Sequence, residues 1–315
     1  MPTPTMVGTT SVKRRGPGRA GTARAAAAVV RAVITASGWI AIAILTAIAV
    51  FLGYNAWQAL TSPQAGLVKM LGGTSWYPTS AAPLFGFLPY IIATVRVTAT
   101  ALAIAVPLGI AAAVYLSEFA GRNVKEIGKS VVEFMAAVPS VVYGLVGVAL
   151  VGPAVRDLFH LPSALTALSA GLVLSFMALP TIISISEDAM HAVPRDLRMG
   201  SLALGNTRWQ TTYKVVVPAA SSGVFASVML GMGRAIGETM VVLMVAGNSM
   251  EATWSLTTSA RPLTSVIAGE MGEVVQGGLH YSALFVVGLT LFVITFVVNL
   301  AADLVLERQR QRWRR

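Results

Sequence analysis

AVPRDLRMGSLALGNTRWQTTYKVVVPAA, residues 192–220, is the charged segment from which the fold of this chain can be worked out. Pro194 suits the first turn of a helix that Gly205 can end. Asn206-Thr207 can then begin a second helix. The first helix has an apolar side made of Leu197, Leu202 and Leu204. The pattern predicts two short helices around a sharp turn, which suit docking to a partner. An ordinary amphipathic connector is the alternative.

Long uncharged windows lie on both sides of this segment. Crossing a bilayer takes roughly 20 apolar residues. The windows are rich in Ala, Val, Leu and Ile and show no alternation of period two, which indicates helices and not barrel strands. They predict an all-α integral membrane protein with six transmembrane helices. These helices are expected within 32–54, 88–117 or 97–117, 134–155, 161–186, 215–250 and 281–302.

The composition agrees with a membrane protein. The chain has 315 residues, of which 55% are hydrophobic and 11% are charged, against about 25% charged residues in soluble domains. Without cysteine it has no disulfide, thiolate metal site or thiol nucleophile. Its three histidines lie far apart in sequence. We therefore expect no metal site and no catalytic residue.

The basic residues predict the orientation. Eighteen of the 23 Lys and Arg residues lie in the two tails and in the links after the second and fourth predicted helices; three lie in the other links and two within or at the edge of the membrane. Basic residues collect on the cytoplasmic side, so both termini are predicted to be cytoplasmic. The net charge of +10 then reflects this bias, and we expect no nucleic-acid partner.

The terminal segments are assigned by composition. Residues 1–30 are predicted to be a disordered, basic cytoplasmic tail, because little in them could bury a core. The uncharged run after Arg31 is too long for a signal peptide, so residues 31–56 are predicted to be the first transmembrane helix. Residues 306–315 are predicted to be a basic tail that contacts membrane lipid, with Trp313 at headgroup depth.

GMGRAIGETM, residues 231–240, places two charges inside an otherwise uncharged window. On a continuous helix Arg234 can reach Glu238 at i+4. An arginine at the membrane centre costs about 2.5–3.5 kcal/mol on insertion scales and usually faces a polar pathway. Its planar fork suits phosphate. We therefore predict an anion pathway at Arg234, Glu238 and the neighbouring Thr239, with a packing helix and an internal salt bridge as the alternative. Gly233 and Gly237 are predicted to let another helix approach closely.

Three other features leave alternatives open. Arg96 either guides an anion or extends to the membrane interface. Pro139-Ser140 is predicted to break the third helix, so that Ser140 is either a pore hydroxyl or part of a packing kink. The link 251–280 contains Arg261, Glu270 and Glu273 and is expected to be a solvated face that could meet a binding protein.

The segment 192–220 resembles the cytoplasmic EAA loop of ABC importer permeases, whose pattern is EAA, three residues, Gly, nine residues, then I-x-L-P. Met199-Gly200-Ser201 occupy the EAA positions, and Gly205 follows at the family spacing. Val215, Val217 and Pro218 close the pattern. The resemblance implies that residues 195–218 dock on an ATPase subunit, although the loss of the EAA triplet removes its usual acidic contact.

Further motifs resemble the permeases of the bacterial phosphate importer, and GRAIGETMVV followed by GN resembles their PstC type. The others are AVPLG (105–109), YLSEF (115–119), AAVPSVVYGL (136–145), LPTIISIS (179–186) and HYSALFVVGLTLFVITFVVN (280–299). The resemblance covers residues 85–305 and implies a type I ABC importer permease fold in the bacterial inner membrane. It also implicates Arg234 and Glu238 in transport.

The resemblance further implies a complex. Its expected members are a PstA-like permease, two ATPase subunits that bind ATP-Mg, and a periplasmic or lipid-anchored phosphate-binding protein. Gly128-Lys129-Ser130 lacks the first glycine of a P-loop, so this chain is expected to bind no cofactor and to perform no covalent chemistry. The alternatives are a permease for sulfate or molybdate, and a non-ABC secondary transporter.

Overall fold

The computed structural model describes the backbone of residues 17–313 and the side chains of residues 27–307, and within these ranges the chain is mostly helical. Helices are expected because lipid offers no partners to free backbone groups. The all-α prediction is confirmed. Five straight stretches are long and apolar enough to span a membrane, namely Ala27–Thr61, Leu88–Phe119, Ser140–Phe159, Ala167–His191 and Leu279–Glu307. The helical pair Arg208–Ala219 and Ser221–Ile236, which meet at an angle of 69°, gives a sixth span if it is counted as one broken span.

The chain divides into two compact units, Met1–Phe51 and Leu52–Arg315. The described part of the first unit belongs to helix α1 (Pro17–Thr61). Residues 17–30, which the sequence predicted to be disordered, are therefore helical; they are rich in alanine, the strongest helix former. The remainder of that predicted tail, residues 1–16, lies outside the described residues.

The second unit begins with the last part of α1, which is followed by a short segment that the sequence analysis did not assign. It contains α2 (Leu67–Gly72) and two strands, β1 (Trp76–Tyr77) and β2 (Leu84–Phe85), which pair antiparallel. Gly73 and Gly86 allow this tight arrangement, because a Cβ on Gly86 would lie 2.5 Å from the Cα of Gly73. Trp76 and Phe85 join a buried cluster with Phe87.

Two long parallel helices form the centre of this unit. They are α3 (Leu88–Val114) and α7 (Ala167–His191), and they pack along their length. Glycine makes the approach possible, since a Cβ on Gly171 would lie 2.6 Å from the Cγ2 of Thr100. At the far end of α3 the chain continues as the π-helical turn Tyr115–Phe119.

The third predicted span is broken at the position expected from its proline. Helix α4 (Arg122–Ala137) ends before Pro139, and α5 begins at Ser140. This break is confirmed, but the span starts later than the predicted 134–155, because α4 is amphipathic and carries five charged residues. The rest of the span comprises α5 (Ser140–Val146), the π-helical turn Gly147–Val151 and α6 (Gly152–Phe159).

The segment 192–220 contains the two predicted short helices. Helix α8 (Arg195–Ala203) follows Pro194, and Gly205 makes the turn with a φ of 84°. Thr207 and Gln210 then form a reciprocal capping box at the start of the second helix. The segment continues as α9 (Arg208–Thr211), the π-helical turn Thr212–Val216 and α10 (Val217–Ala219), which contains Pro218.

The fifth predicted helix is not continuous. Helix α11 (Ser221–Ile236) ends within the GRAIGETM motif, and α12 (Met240–Val245) starts four residues later. A loop then leads to α13 (Leu263–Glu270) and α14 (Leu279–Trp313). The backbone of the predicted C-terminal tail is helical through Trp313, whose side chain lies outside the described residues, so its interfacial placement stays a prediction.

The packing of α3 on α7 generates a stability prediction. Gly171→Val should lower the free energy of unfolding by about 1–3 kcal/mol, because the added methyl groups overlap Thr100. Thermal unfolding of the purified protein in detergent measures this. Gly53→Val is the matched control, since nothing lies within 4 Å of a Cβ at Gly53. Equal melting temperatures for the two variants would show that α3 and α7 do not pack this closely.

Candidate functional site

The break between α11 and α12 is stabilised by the carboxylate of Glu238. Its Oε1 accepts hydrogen bonds from the backbone N–H groups of Met240 at 3.0 Å and Val241 at 3.3 Å. The first N–H groups of a helix have no partner inside the helix, so such an acceptor stabilises the helix start. On the other side, the hydroxyl of Thr264 donates to the carbonyl oxygen of Glu238 at 2.8 Å. Glu238 is thus buried and fixed to α12 and α13.

Arg234 lies in the last turn of α11 and is half-buried. Its Nη1 is 3.4 Å from the Oγ1 of Thr181 on α7. Within residues 27–307, no carboxylate forms an ion pair with Arg234. The structure therefore places a cation next to the hydroxyl of Thr181, and among the described side chains it supplies no anion to pair with it.

This arrangement corrects the predicted pairing of Arg234 with Glu238. The i, i+4 rule holds only on a continuous helix, and α11 ends at Ile236. The carboxylate instead caps α12 and does not position the guanidinium. Whether Glu238 belongs to a substrate pathway stays a prediction.

The predicted close-packing glycines, Gly233 and Gly237, have no close neighbour from another helix of this chain, so the approach of a helix at this face stays a prediction. No heavy atom lies within 4 Å of a Cβ built on Gly233, and the nearest atom to one on Gly237 belongs to Gly233 itself. On α11, the glycines that pack tightly against α7 are Gly231, where a Cβ would lie 2.8 Å from the Cγ1 of Ile182, and Gly223, where a Cβ would overlap the Cβ of Ala189. These two glycines make the close contact between α11 and α7.

Ser140 and Thr239 flank the same region. Thr239 lies in the break and its hydroxyl is 3.4 Å from the carbonyl oxygen of Gly237. Ser140 is the half-buried first residue of α5, which packs against α12. Thr239 therefore lies five residues after Arg234 in the break, and Ser140 lies on the helix that packs against α12; their roles in a pathway stay predictions.

Arg96 adopts neither of the two predicted arrangements. It is only 2% exposed and extends into the loop before α13. Nη1 donates to the carbonyl oxygen of Thr253 at 2.8 Å, and Nη2 donates to that of Ser259 at 2.8 Å. The sequence could not reveal this because the partners are distant in the chain. Arg96 therefore ties α3 to the loop and is not available as an exposed anion guide or an interfacial anchor.

In the segment 195–218, the residues at the EAA positions divide into exposed and buried ones. Met199 is 65% exposed, and Gly200 has open space around it. Ser201 is buried, with its Oγ 2.9 Å from the Oγ1 of Thr211 and 3.2 Å from the Nδ2 of Asn206. Gly205 makes the turn between α8 and α9, and Pro218 lies in α10, directly before the bend of the span. Ser201 thus joins α8 to α9, while Met199 and Gly200 face outward.

Two ionic clusters were missed by sequence reasoning. On α7, Glu187 is buried and pairs with Lys125 at 2.7 Å and Lys129 at 2.8 Å. The hydrogen bond to Glu187 raises the pKa of Lys129, so that ammonium group stays charged. The sequence signal was an amphipathic helix with two lysines, about 60 positions before an acid at the end of an apolar window, and it does not specify pairing.

The second cluster corrects the expected solvated face in the link 251–280. Glu270 is largely buried and pairs with Arg261 at 2.9 Å and with His280 at 2.8 Å. The indole Nε1 of Trp76 also donates to Glu270 at 2.9 Å. Glu270 thus joins α13, α14 and β1, and it is a structural residue.

Comparisons with solved structures place this fold in a known class. The chain resembles a subunit of the inward-facing MetNI methionine ABC transporter with a TM-score of 0.57 and 18% identity, covering 71% of this chain and 95% of that one. It also resembles a chain of a bacterial ABC transporter that imports the acidic polysaccharide alginate, with a TM-score of 0.59 and 13% identity, covering 86% and 96%. These likenesses show the fold of a type I ABC importer permease.

Sequence comparisons then show the family. The family described as binding-protein-dependent transport system inner membrane component matches residues 105–314. The probable ABC transporter permease protein YqgH of Bacillus subtilis is 38% identical and covers 89% of this chain and 91% of its own. The phosphate transport system permease protein PstC of Mesorhizobium japonicum is 35% identical and covers 89% and 90%. The chain belongs to this family and is a multi-pass protein of the bacterial inner membrane.

The capping role of Glu238 generates a double-mutant prediction. Glu238→Ala should lower the free energy of unfolding by about 0.5–2 kcal/mol, because two N–H groups of α12 lose their acceptor. The loss should be the same in an Arg234→Ala background, with a coupling energy below about 0.5 kcal/mol. Thermal unfolding of the four proteins in detergent measures the cycle. A favourable coupling energy above about 1 kcal/mol would contradict this account and support the ion pair between Arg234 and Glu238 that the sequence predicted.

Proposed function

We propose that this chain is the permease subunit of an ATP-driven importer of inorganic phosphate. The observation that carries the proposal is the half-buried Arg234, which lies in a bent membrane span without a carboxylate partner among the described side chains. The relatives that carry the name PstC support phosphate as the transported ion. The protein performs no covalent chemistry.

The chemistry of the site suits a tetrahedral oxyanion. A guanidinium offers two parallel N–H groups to two oxygens of one anion. The hydroxyl of Thr181 lies 3.4 Å from the same guanidinium and can donate to a further oxygen, whereas the hydroxyl of Tyr143 already donates to the carbonyl oxygen of Met135 at 2.8 Å. Because no protein carboxylate neutralises Arg234 in the described structure, an entering anion would satisfy its charge. The unpaired charge of Arg234 thus gives the site affinity for an anion, and no protein carboxylate competes with that anion for the guanidinium.

Glu238 also suits phosphate better than sulfate. Its Oε1 is committed to the backbone of α12, whereas its Oε2 has no hydrogen-bond partner among the described residues. Hydrogen phosphate carries a proton that a carboxylate oxygen can accept, and sulfate at neutral pH carries none. A polar group built for a hydrogen bond discriminates against a ligand that leaves it unpaired. A permease for sulfate or molybdate is the second candidate, since Arg234 alone would not separate these ions.

In the proposed complex, other subunits supply the energy for transport by hydrolysing ATP. We place two ATPase subunits at the segments 195–218 of this chain and of a PstA-like partner, with both termini of this chain in the cytoplasm. ATP-Mg binds to those subunits, and a periplasmic or lipid-anchored binding protein delivers phosphate to the opposite side. The exposed Met199 gives an apolar contact to the ATPase where the EAA pattern has an acid. Closure of the ATPase subunits then opens the phosphate path to one side of the membrane and closes it to the other.

The experiment is uptake of radioactive phosphate by vesicles that contain the whole complex, the binding protein and internal ATP. Arg234→Ala should lower uptake by at least about 100-fold while the complex still assembles, since two charge-assisted hydrogen bonds of about 1.5–3 kcal/mol each are lost. Arg122→Ala is the matched control, because Arg122 lies in an exposed ion pair with Glu126.

Excess unlabelled sulfate should leave phosphate uptake unchanged in the same vesicles. Strong competition by sulfate would favour the second candidate. Normal uptake by the Arg234→Ala complex would exclude Arg234 from the anion path.

A further inference from the structure

We propose that Arg198 and Glu118 form the mechanical link between the segment 195–218 and the central helices α3 and α7. In this role, Arg198 is a positioning residue that transmits a displacement of α8 to the membrane helices. The inference rests on the proposed function only in assuming that an ATPase subunit docks on this segment.

The guanidinium of Arg198 contacts three separate parts of the chain. Its Nη2 lies 2.9 Å from the Oε1 of Glu118, at the end of the π-helical turn that prolongs α3. The same Nη2 donates to the carbonyl oxygen of Met190 in the last turn of α7 at 2.7 Å. Nη1 donates to the carbonyl oxygen of Val193, just beyond α7. One side chain thus joins α8 to the ends of both central helices.

The environment favours a firm connection. The side chain of Arg198 is 20% exposed and that of Glu118 is 12% exposed. Partial burial limits screening by water and salt, whereas exposed ion pairs contribute little. The nearby pair of Arg122 and Glu126 shows the contrast, because its side chains are 89% and 65% exposed.

The other polar contacts of α8 do not reach the central helices. Ser201 bonds to Thr211 and Asn206, which belong to the same segment 195–218. The backbone of α8 packs mainly against α9 and the π-helical turn after it. In the part of the chain that the structure describes, Arg198 therefore supplies the charged contact from α8 to α3 and α7.

The link leads directly to the candidate site. Helix α7 is continuous from Met190 back to Thr181, whose hydroxyl lies next to Arg234. Helix α3 packs along α7 with glycine-to-side-chain contacts, so the two move together as a unit. Helix α11 also packs on α7, with Gly231 against Ile182 beside Thr181. A displacement of α8 at Arg198 would therefore be passed through α7 to the helix that carries Arg234.

The test uses Glu118→Gln in the full complex in lipid nanodiscs. The chain contains no cysteine, so Ser184→Cys, on an exposed position of α7, provides a single thiol on this subunit. We expect ATP to change the rate at which maleimide labels this thiol in the otherwise wild-type complex. Glu118→Gln should reduce this ATP-dependent change at least about fivefold, the lower range of coupling between sites, while ATP hydrolysis persists.

Two variants separate transmission from general structure. Glu118→Asp keeps the charge and should retain most of the labelling change, and Glu126→Gln in the exposed pair should leave it unaltered. Wild-type labelling with Glu118→Gln would overturn the proposal. Loss of the ATPase subunits from the purified Glu118→Gln complex would also overturn it, since the pair would then serve docking. The labelling change does not depend on the transported ion. A wild-type complex that shows it but imports no phosphate refutes the phosphate assignment alone.

Discussion

The hydrogen bonds from the amides of Met240 and Val241 to the carboxylate of Glu238 are the interaction on which the rest of this site depends. They allow α11 to end at Ile236 and α12 to begin at Met240 inside a membrane protein, where free backbone groups are costly. These hydrogen bonds also use the carboxylate of Glu238, which is the acid nearest in sequence to Arg234. Because Glu238 is used in this way, the arginine faces the hydroxyl of Thr181 and has a charge available for an anion.

The central helices give this arrangement a rigid frame. Gly171 allows α3 and α7 to pack closely, and Arg96 ties α3 to the loop that leads into α13. On α13, the hydroxyl of Thr264 donates a hydrogen bond to the carbonyl oxygen of Glu238. A buried arginine with several carbonyl acceptors is costly to remove, so Arg96 contributes to the site indirectly, by fixing the loop. The same frame ends at Glu118 and Met190, where Arg198 connects it to α8.

The sequence was sufficient for features that depend on composition and on local signals. Uncharged windows predicted the spans, Pro139 predicted the break before α5, and Gly205 with Thr207 predicted the turn and helix start in the segment 192–220. These signals act over a few residues, so their physical causes are visible in the chain itself.

The remaining features depend on contacts between distant residues or on competition between local ones. The partners of Arg96 lie more than 150 positions away, and those of Glu270 come from three elements. For Glu238, the sequence allowed two arrangements: an ion pair with Arg234 on a continuous helix, or hydrogen bonds to the first amides of a new helix. The helix ends at Ile236, so the carboxylate makes the second set of contacts. The contacts of Gly223 and Gly231 with α7 are of the first kind, because their partners Ala189 and Ile182 lie more than 30 positions away.

Retention of phosphate by the trapped complex tests most directly whether Arg234 accepts the transported anion. The complex would be loaded with radioactive phosphate through the binding protein, arrested with ATP and vanadate, and passed through a desalting column. The account predicts that the wild-type complex retains labelled phosphate and that an Arg234→Gln complex, equally assembled and arrested, does not. Equal retention by the two complexes would contradict the account, because the anion would then be bound without this arginine.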